Sequence, residues 1–268
     1  MIRIIALLAL GMTSQAAAAE TVILFAAGSL RAPLTEIASA FASAEGVKVE
    51  ARYGASGTLK DEIMGGARAD VFASANMEHP QALARAGKAS PVVLFARNQL
   101  CALVRPGIAT KPDNLLALML EPRVKLATST PRADPSGDYA WEVFRKAERV
   151  DPGAFATLEK KALQLVGGPS SPTAPPGESV YGLLIAQGEA DVFLTYCTNA
   201  RQAHARHPDQ TVVALPAALA VGADYGLTVL AGASPQAYML AMFMLATDGQ
   251  RILAAHGFSA PTLPQPSQ

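Results

Sequence analysis

Apolar and polar positions along this chain form two alternating kinds of segment. Short runs rich in apolar and β-branched residues occupy residues 21–26, 47–53 and 70–74, as is typical of strands. Between them, residues 30–44 carry apolar side chains at helical spacing, and residues 59–65 begin a second helical pattern. This strand–helix–strand–helix–strand order predicts a parallel sheet with helices on both faces.

A second series of the same kind fills the rest of the chain. Further strands are predicted at residues 99–105, 124–128, 163–166, 192–196, 212–215 and 225–230. Further helices are predicted at residues 81–86, 139–150, 180–187, 235–246 and 249–256. The two series predict an α/β protein of two lobes, each a mostly parallel sheet flanked by helices, with a ligand cleft between the lobes.

The expected lobes are discontinuous in sequence. Residues 20–98 plus 227–268 form lobe 1, and residues 99–226 form lobe 2. No linker rich in Pro, Gly or Ser separates the two series. We therefore expect the chain to cross between lobes on strands, near residue 98 and near residue 226, so that these crossings form a hinge.

The first 19 residues predict a signal peptide. Arg3 provides a positive charge, residues 4–12 form a short apolar core, and the alanines at 16–19 form a small-residue cleavage site. We expect cleavage near Ala19, which makes Glu20 the mature N-terminus and places the protein in the periplasm. A retained membrane anchor is the alternative, and the short apolar core disfavours it.

The composition narrows the class of partner. Lys and Arg number 22 and Asp and Glu number 22, so the formal net charge is zero. Nucleic acids and anionic membrane surfaces need a basic patch, and no basic cluster occurs in the sequence. We expect a monomer that binds a small molecule and needs no cofactor.

Cys101 and Cys197 favour a disulfide in an oxidising compartment, although two buried free thiols remain the alternative.

A short motif of small residues precedes a predicted helix at four places, namely residues 26–30, 54–59, 134–139 and 176–181. A helix start leaves N–H groups unpaired and carries the positive end of the helix dipole, which attracts anions. Each predicted lobe contains two of these motifs, at equivalent positions in its strand–helix order. Although a Ser before a helix is most often only an N-cap, four such starts around one cleft predict an anion-binding site.

The predicted oxyanion contacts are neutral hydrogen-bond donors. They are Ser29 and Ser56 through hydroxyl and N–H, Ser136 and Val180 through N–H, and Tyr196 through its phenol. A protonated anion such as hydrogen phosphate needs an acceptor, and a buried donor without one costs about 1–3 kcal/mol. Donors alone therefore favour molybdate, tungstate or sulfate, and the size of the site would separate the first two from sulfate.

The sequence motifs FAAGSL (residues 25–30), GASGTL (54–59) and GARADVFASA (66–75) resemble those of the periplasmic molybdate-binding proteins of ABC transporters. A looser similarity continues at residues 135–140, 178–180 and 194–196. The resemblance implies the type II periplasmic-binding-protein fold, capture of molybdate or tungstate, and delivery to a membrane permease. It places the oxyanion contacts on the same five residues, and molybdenum would be held only through its oxyanion, without a direct protein–metal ligand.

The sequence departs from this family pattern at three places. Position 136 is Ser where Ala is familiar, Cys197-Thr198-Asn199 replaces an expected Gly and Ser, and residues 167–176 form an extension rich in Pro and Ser. These changes concern the identity of the ligand more than the fold.

Two other functions stay open. The first is a binding protein for sulfate or another small anion. The second is a serine hydrolase that uses Ser56, because residues 54–57 approach a nucleophile elbow. That motif needs Gly where Thr58 stands, and none of the four histidines lies in a Gly-rich loop. We therefore expect no catalytic residue.

Overall fold

The computed structural model describes residues 21–175 and 177–261. The predicted signal peptide, its cleavage site and the C-terminal residues 262–268 lie outside these ranges. The strands are β1 Thr21–Ala27, β2 Lys48–Gly54, β3 Val71–Ser74, β4 Val93–Val104, β5 Leu126–Ser129, β6 Leu163–Val166, β7 Val192–Tyr196, β8 Thr211–Ala214 and β9 Gly222–Val229. The α-helices are α1 Arg31–Glu45, α2 Ser56–Met64, α3 Glu78–Arg85, α4 Leu115–Leu120, α5 Pro135–Val150, α6 Ala154–Lys161, α7 Val180–Ala186, α8 Cys197–Arg206, α9 Pro235–Leu245 and α10 Thr247–Ala255.

The strands form a curled sheet with the order β2-β1-β3-β9-β4-β7-β5-β6, and β8 pairs with β4 off this path. At one end, β1 pairs in parallel with β2 and β3. At the other end, β5 pairs in parallel with β6 and β7. The predicted α/β class with two mostly parallel parts is therefore confirmed.

Two antiparallel strands join the parallel parts. The first half of β4 pairs with β9, while its second half, from Leu100 to Val104, pairs with β7 and β8. The other edge of β9 pairs with β3. The predicted crossings near residues 98 and 226 fall inside β4 and β9, and the lobe boundaries drawn from them stay a prediction.

The structure contains helices that the apolar pattern did not predict. Helix α8 is the clearest case, because its buried positions include Thr198, Asn199, Ala200 and Ala203. Small and polar residues on a buried face give no apolar period, so the usual sequence signal is absent. The short α4 (LLALML) is apolar at all six positions, and α6 was not predicted either. Strand β4 begins at Val93, six residues before the predicted start.

The core forms where helices cover the sheet. Leu34, Ile37 and Phe41 lie on one face of α1 and are fully or almost fully buried. Burial of one such side chain contributes about 1.5–3 kcal/mol to the stability of the fold.

Within the two described ranges, no helix combines the length and apolarity needed to cross a bilayer.

A disulfide bond joins Cys101 in β4 to Cys197 at the start of α8. The alternative of two free thiols is therefore wrong. The bond lies inside a small apolar cluster with Leu103 and Phe193. Because Cys197 directly follows Tyr196, the disulfide anchors the residue next to a predicted ligand contact to the neighbouring strand.

Candidate functional site

All five predicted ligand contacts lie at the ends of strands or the starts of helices. Ser29 lies in a short 3-10 helix that follows β1, and Ser56 is the first residue of α2. Ser136 is the second residue of α5, Val180 is the first of α7, and Tyr196 is the last of β7. Such positions at the carboxyl ends of strands are where ligands bind in open α/β sheets.

Tyr225 brings Ser29 and Tyr196 close together. The Ser29 Oγ and the Tyr225 hydroxyl are 3.0 Å apart, and the rings of Tyr225 and Tyr196 lie 5.6 Å apart between centroids. Asn98 Nδ2 donates to the Tyr225 hydroxyl at 3.4 Å and to Thr198 Oγ1 at 2.9 Å. A hydrogen-bonded path therefore runs from Ser29 after β1 through Tyr225 and Asn98 to Thr198 near the start of α8.

Ser56 reaches the same region from the other side. Its side chain is buried, and its Oγ accepts the N–H of Ala75 at 3.1 Å, which leaves the hydroxyl proton available for another acceptor. The N–H of Gly57 donates to the carbonyl of Ala133 at 2.9 Å. The start of α2 therefore contacts the segment that leads into α5 and Ser136.

The start of α5 is capped by Asp134. Its Oδ1 accepts the N–H of Ser136 at 3.0 Å, and its carbonyl accepts the N–H of Gly137 at 2.8 Å. Pro135, the first residue of the helix, has no N–H to offer. Both of these N–H groups are therefore already used, and Ser136 presents its hydroxyl rather than the predicted N–H.

Within the described part of the chain, four buried hydroxyls in this region have no partner at good hydrogen-bond distance and angle. They belong to Thr128, Ser129, Ser136 and Tyr196. The first three residues have no exposed surface and the fourth is 2% exposed. Each unmade hydrogen bond at a buried polar group costs about 1–3 kcal/mol, so such groups have partners in a stable protein. Unmet hydrogen-bonding capacity concentrated at the ends of β5 and β7 is typical of a site that receives a polar ligand.

Burial also shifts the pKa values of the ionisable side chains in this region. It raises the pKa of Asp134 to about 6, an effect that the Ser136 N–H and the Ser129 hydroxyl partly offset and Asp138 reinforces. Burial raises the pKa values of Tyr196 and Tyr225 well above their usual value of 10. Both phenols therefore stay neutral at physiological pH and can act as hydrogen-bond donors.

Val180 has the weakest connection to the others. The hydroxyl of Ser179 caps α7 by accepting the N–H of Gly182 at 3.5 Å. In the described residues, no side-chain hydrogen bond links Val180 to the other four predicted contacts. Its neighbour Tyr181 packs against Phe193 at 5.0 Å, and burial together with the negative charge of Asp134 raises the pKa of its phenol. Tyr181 therefore connects the start of α7 to Asp134 and to strand β7.

Three residues of the cluster had no predicted role. Asp134 carried a signal, because Asp before a Pro at a helix start is a typical N-cap. Tyr225 and Ser129 carried none, since each occupies an ordinary strand position. Their proximity to the site depends on pairing between distant strands.

The geometry gives a hydrolase no support. Within residues 21–175 and 177–261, no histidine makes a hydrogen bond to Ser56. His204 Nδ1 contacts the carbonyl of Gln210 at 2.7 Å, and His256 lies 2.9 Å from Glu36. The described residues also contain no group of three or more His, Cys, Asp or Glu side chains that could hold a metal ion.

Comparison with known proteins agrees with this architecture. The periplasmic molybdate-binding protein of Azotobacter vinelandii has a similar structure, with a TM-score of 0.72 and 22% identity over 91% of this chain and all of that one. This likeness confirms the type II periplasmic-binding-protein fold. Residues 22–259 match the model of a family described as bacterial extracellular solute-binding proteins, and the chain belongs to that family.

Two relatives align over most of their length. The uncharacterized protein PM1146 of Pasteurella multocida is 37% identical over 88% of this chain and 97% of its own. The molybdate-binding protein ModA of Mycobacterium bovis is 27% identical over 91% of this chain and 86% of its own. Family members of this kind bind solutes outside the cytoplasm.

Proposed function

We propose that this protein binds one tetrahedral oxyanion, molybdate or tungstate, in the periplasm and delivers it as a monomer to the permease of an ABC transporter. The oxyanion contacts are Ser29, Ser56, Ser136, Val180 and Tyr196. No cofactor and no catalytic residue take part. The observation that carries the proposal is a group of four buried hydroxyls at the ends of β5 and β7 and the start of α5 that have no well-aligned hydrogen-bond partner among the described residues.

The chemistry of these groups favours an anion with several acceptor oxygens. Among the described residues, the Ser136 and Tyr196 hydroxyls have no well-aligned hydrogen-bond partner, and the Ser56 hydroxyl can donate while its oxygen accepts from Ala75. The dipole of α2 points its positive end at the same region. A small oxyanion offers acceptors in all directions, so it can satisfy several fixed donors at once.

Molybdate is favoured over other anions by the sequence motifs shared with molybdate-binding proteins and by the similarity to ModA of M. bovis. A binding protein for sulfate or another small anion is the second candidate, because the same hydroxyls suit any small tetrahedral oxyanion. The size of the site would separate these candidates, and competition between ligands measures that difference.

The first test is thermal unfolding of the mature protein with molybdate, tungstate, sulfate or phosphate. A ligand that binds only the folded state stabilises it by about 4 kcal/mol at a thousand times its dissociation constant. We expect the largest rise in Tm with molybdate or tungstate. A largest rise with sulfate would establish the second candidate, and no rise with any of the four would refute oxyanion binding.

A second prediction concerns the two serines of the first predicted lobe. Ser29→Ala and Ser56→Ala each remove a hydroxyl donor to a charged ligand, so each should weaken binding by about 1.5–3 kcal/mol in isothermal titration calorimetry. Ser43→Ala is the matched control, because the Ser43 hydroxyl is exposed on α1 and bonds only the carbonyl of Ser39. Unchanged affinity in both variants would place the anion elsewhere.

A further inference from the structure

An acidic side chain lies among the groups proposed to bind an anion. The Asp134 carboxyl accepts the N–H of Ser136, a residue proposed to contact the oxyanion through its hydroxyl. The adjacent Ala133 carbonyl contacts Gly57 beside Ser56. Asp134 therefore lies between the starts of α2 and α5, in the middle of the proposed site, where family resemblance predicts donors only.

The surroundings of Asp134 provide no compensating positive charge. The ionisable groups that act on it are Asp138 from its own helix, Tyr181 from α7 and Tyr196 from β7. Strand β5 contributes the uncharged Ser129 hydroxyl. No ion pair involving Asp134 occurs within the described ranges of the chain.

Two glycines also lie close to this segment. Gly57 lies on the α2 side, and Gly167, after β6, is so close that a Cβ there would lie 2.4 Å from the Asp134 Cβ. The residue is partly buried, and these neighbours carry no charge. A dianion beside it would meet a carboxylate that no neighbouring cation offsets in the described residues, and such a pair of like charges is unfavourable.

We propose that Asp134 determines the specificity of the site, and that the bound state holds one proton between its carboxyl and an oxygen of the tetrahedral anion. This inference rests on the proposed function. The proton turns the repulsive pair into a charge-assisted O–H···O hydrogen bond. Asp134 still accepts the Ser136 N–H through Oδ1, so the cap on α5 is kept.

The proton can come from two sources. With a fully deprotonated dianion such as molybdate, Asp134 takes the proton from solvent and donates it to the ligand. With monohydrogen phosphate or a phosphate monoester that carries a proton, the ligand donates and Asp134 accepts. The first case requires net proton uptake on binding and the second does not, so calorimetry can separate them.

The ionisation of the free protein sets the pH window. With a pKa of about 6, Asp134 is mostly protonated below that value and mostly ionised above it. If the complex retains the proton, affinity for molybdate is level below about pH 6 and falls about tenfold per pH unit above it. At pH 8 the wild type should bind on the order of 100-fold more weakly than at pH 6.

The test is isothermal titration calorimetry with molybdate and with inorganic phosphate between pH 5.5 and 8.5, in two buffers of different ionisation enthalpy. We compare the wild type with Asp134→Asn, whose amide keeps an oxygen for the Ser136 N–H and offers a permanent donor to the anion. Asp134→Ser also retains a capping oxygen and serves if the amide variant is unstable. Asp138→Asn, about one helical turn further along the chain, is the matched control for loss of an acidic charge.

We expect the wild type and Asp138→Asn to take up about one proton with molybdate at pH 8 and to lose affinity as pH rises. Asp134→Asn should take up none, show a level profile, and bind molybdate on the order of 100-fold more tightly than the wild type at pH 8. If phosphate is the ligand instead, the wild type should bind it at pH 8 without net uptake, and Asp134→Asn should weaken it at least tenfold.

Anion binding whose pH profile and proton uptake are the same in the wild type and both Asp134 variants would overturn this inference and leave the proposed function intact. Absence of binding by any oxyanion in the wild type would instead overturn the proposed function, and the inference with it.

Discussion

Replacing Gly57 with Ala should reduce oxyanion affinity on the order of 100-fold while leaving the chain folded. A Cβ at this position would lie 2.2 Å from the carbonyl oxygen of Arg132 and 2.7 Å from that of Ala133. The Gly57 N–H also donates to Ala133, so the start of α2 and the segment before α5 would have to move apart. The overlap costs about 1–3 kcal/mol, and the lost hydrogen bond costs about 1 kcal/mol more.

These costs fall on the arrangement that holds Ser56 and Ser136 near each other. If it becomes about a hundredfold less populated, the apparent dissociation constant rises by the same factor. Isothermal titration calorimetry with molybdate measures this change, and circular dichroism shows whether secondary structure is retained. The matched control is Gly54→Ala, where a Cβ would make only ordinary contact with the Leu59 side chain at 3.5 Å. Equal affinity of the two variants would contradict the expected role of this contact.

Much of the fold could be predicted because its buried strands are continuous apolar runs. Residues 192–196 and 163–166 were predicted with the bounds that β7 and β6 have. The first half of β4 could not be found in this way, because Arg97 and Asn98 interrupt its apolar run before the strand continues. What keeps these residues in the strand is pairing with β9, a contact that connects distant parts of the chain.

The site shows the same division between local and distant information. Ser29, Ser56 and Ser136 could be found because each has a local signal, a small residue at a helix start. Tyr225 could not, because its contact with Ser29 spans 196 residues and depends on the antiparallel pairing of β9 with β3 and β4. The position of Asp134 was visible at a helix start, but its partly buried place beside uncharged groups was not.

Removing the disulfide should have the largest effect on stability. The double variant Cys101→Ala/Cys197→Ala should lose about 2–5 kcal/mol of unfolding free energy. The bond closes a loop with a sequence separation of 96 residues, and long loops restrict the unfolded chain most. Urea unfolding of the oxidised wild type, the wild type in reductant and the double variant measures the difference. Reductant should lower the stability of the wild type and leave that of the double variant unchanged.

The same bond should affect binding because of where it lies. Cys197 follows Tyr196, and the register of β4 against β7 sets Leu100 opposite Tyr196. Loss of the bond frees the start of α8, whose Thr198 accepts a hydrogen bond from Asn98, the residue that also donates to Tyr225. We therefore expect the double variant to bind molybdate about tenfold more weakly, through a loss of roughly 1–2 kcal/mol at one or two of these hydrogen bonds. A variant that loses stability but keeps full affinity would show that the strand pairing alone positions Tyr196, and that the disulfide acts only on the unfolded chain.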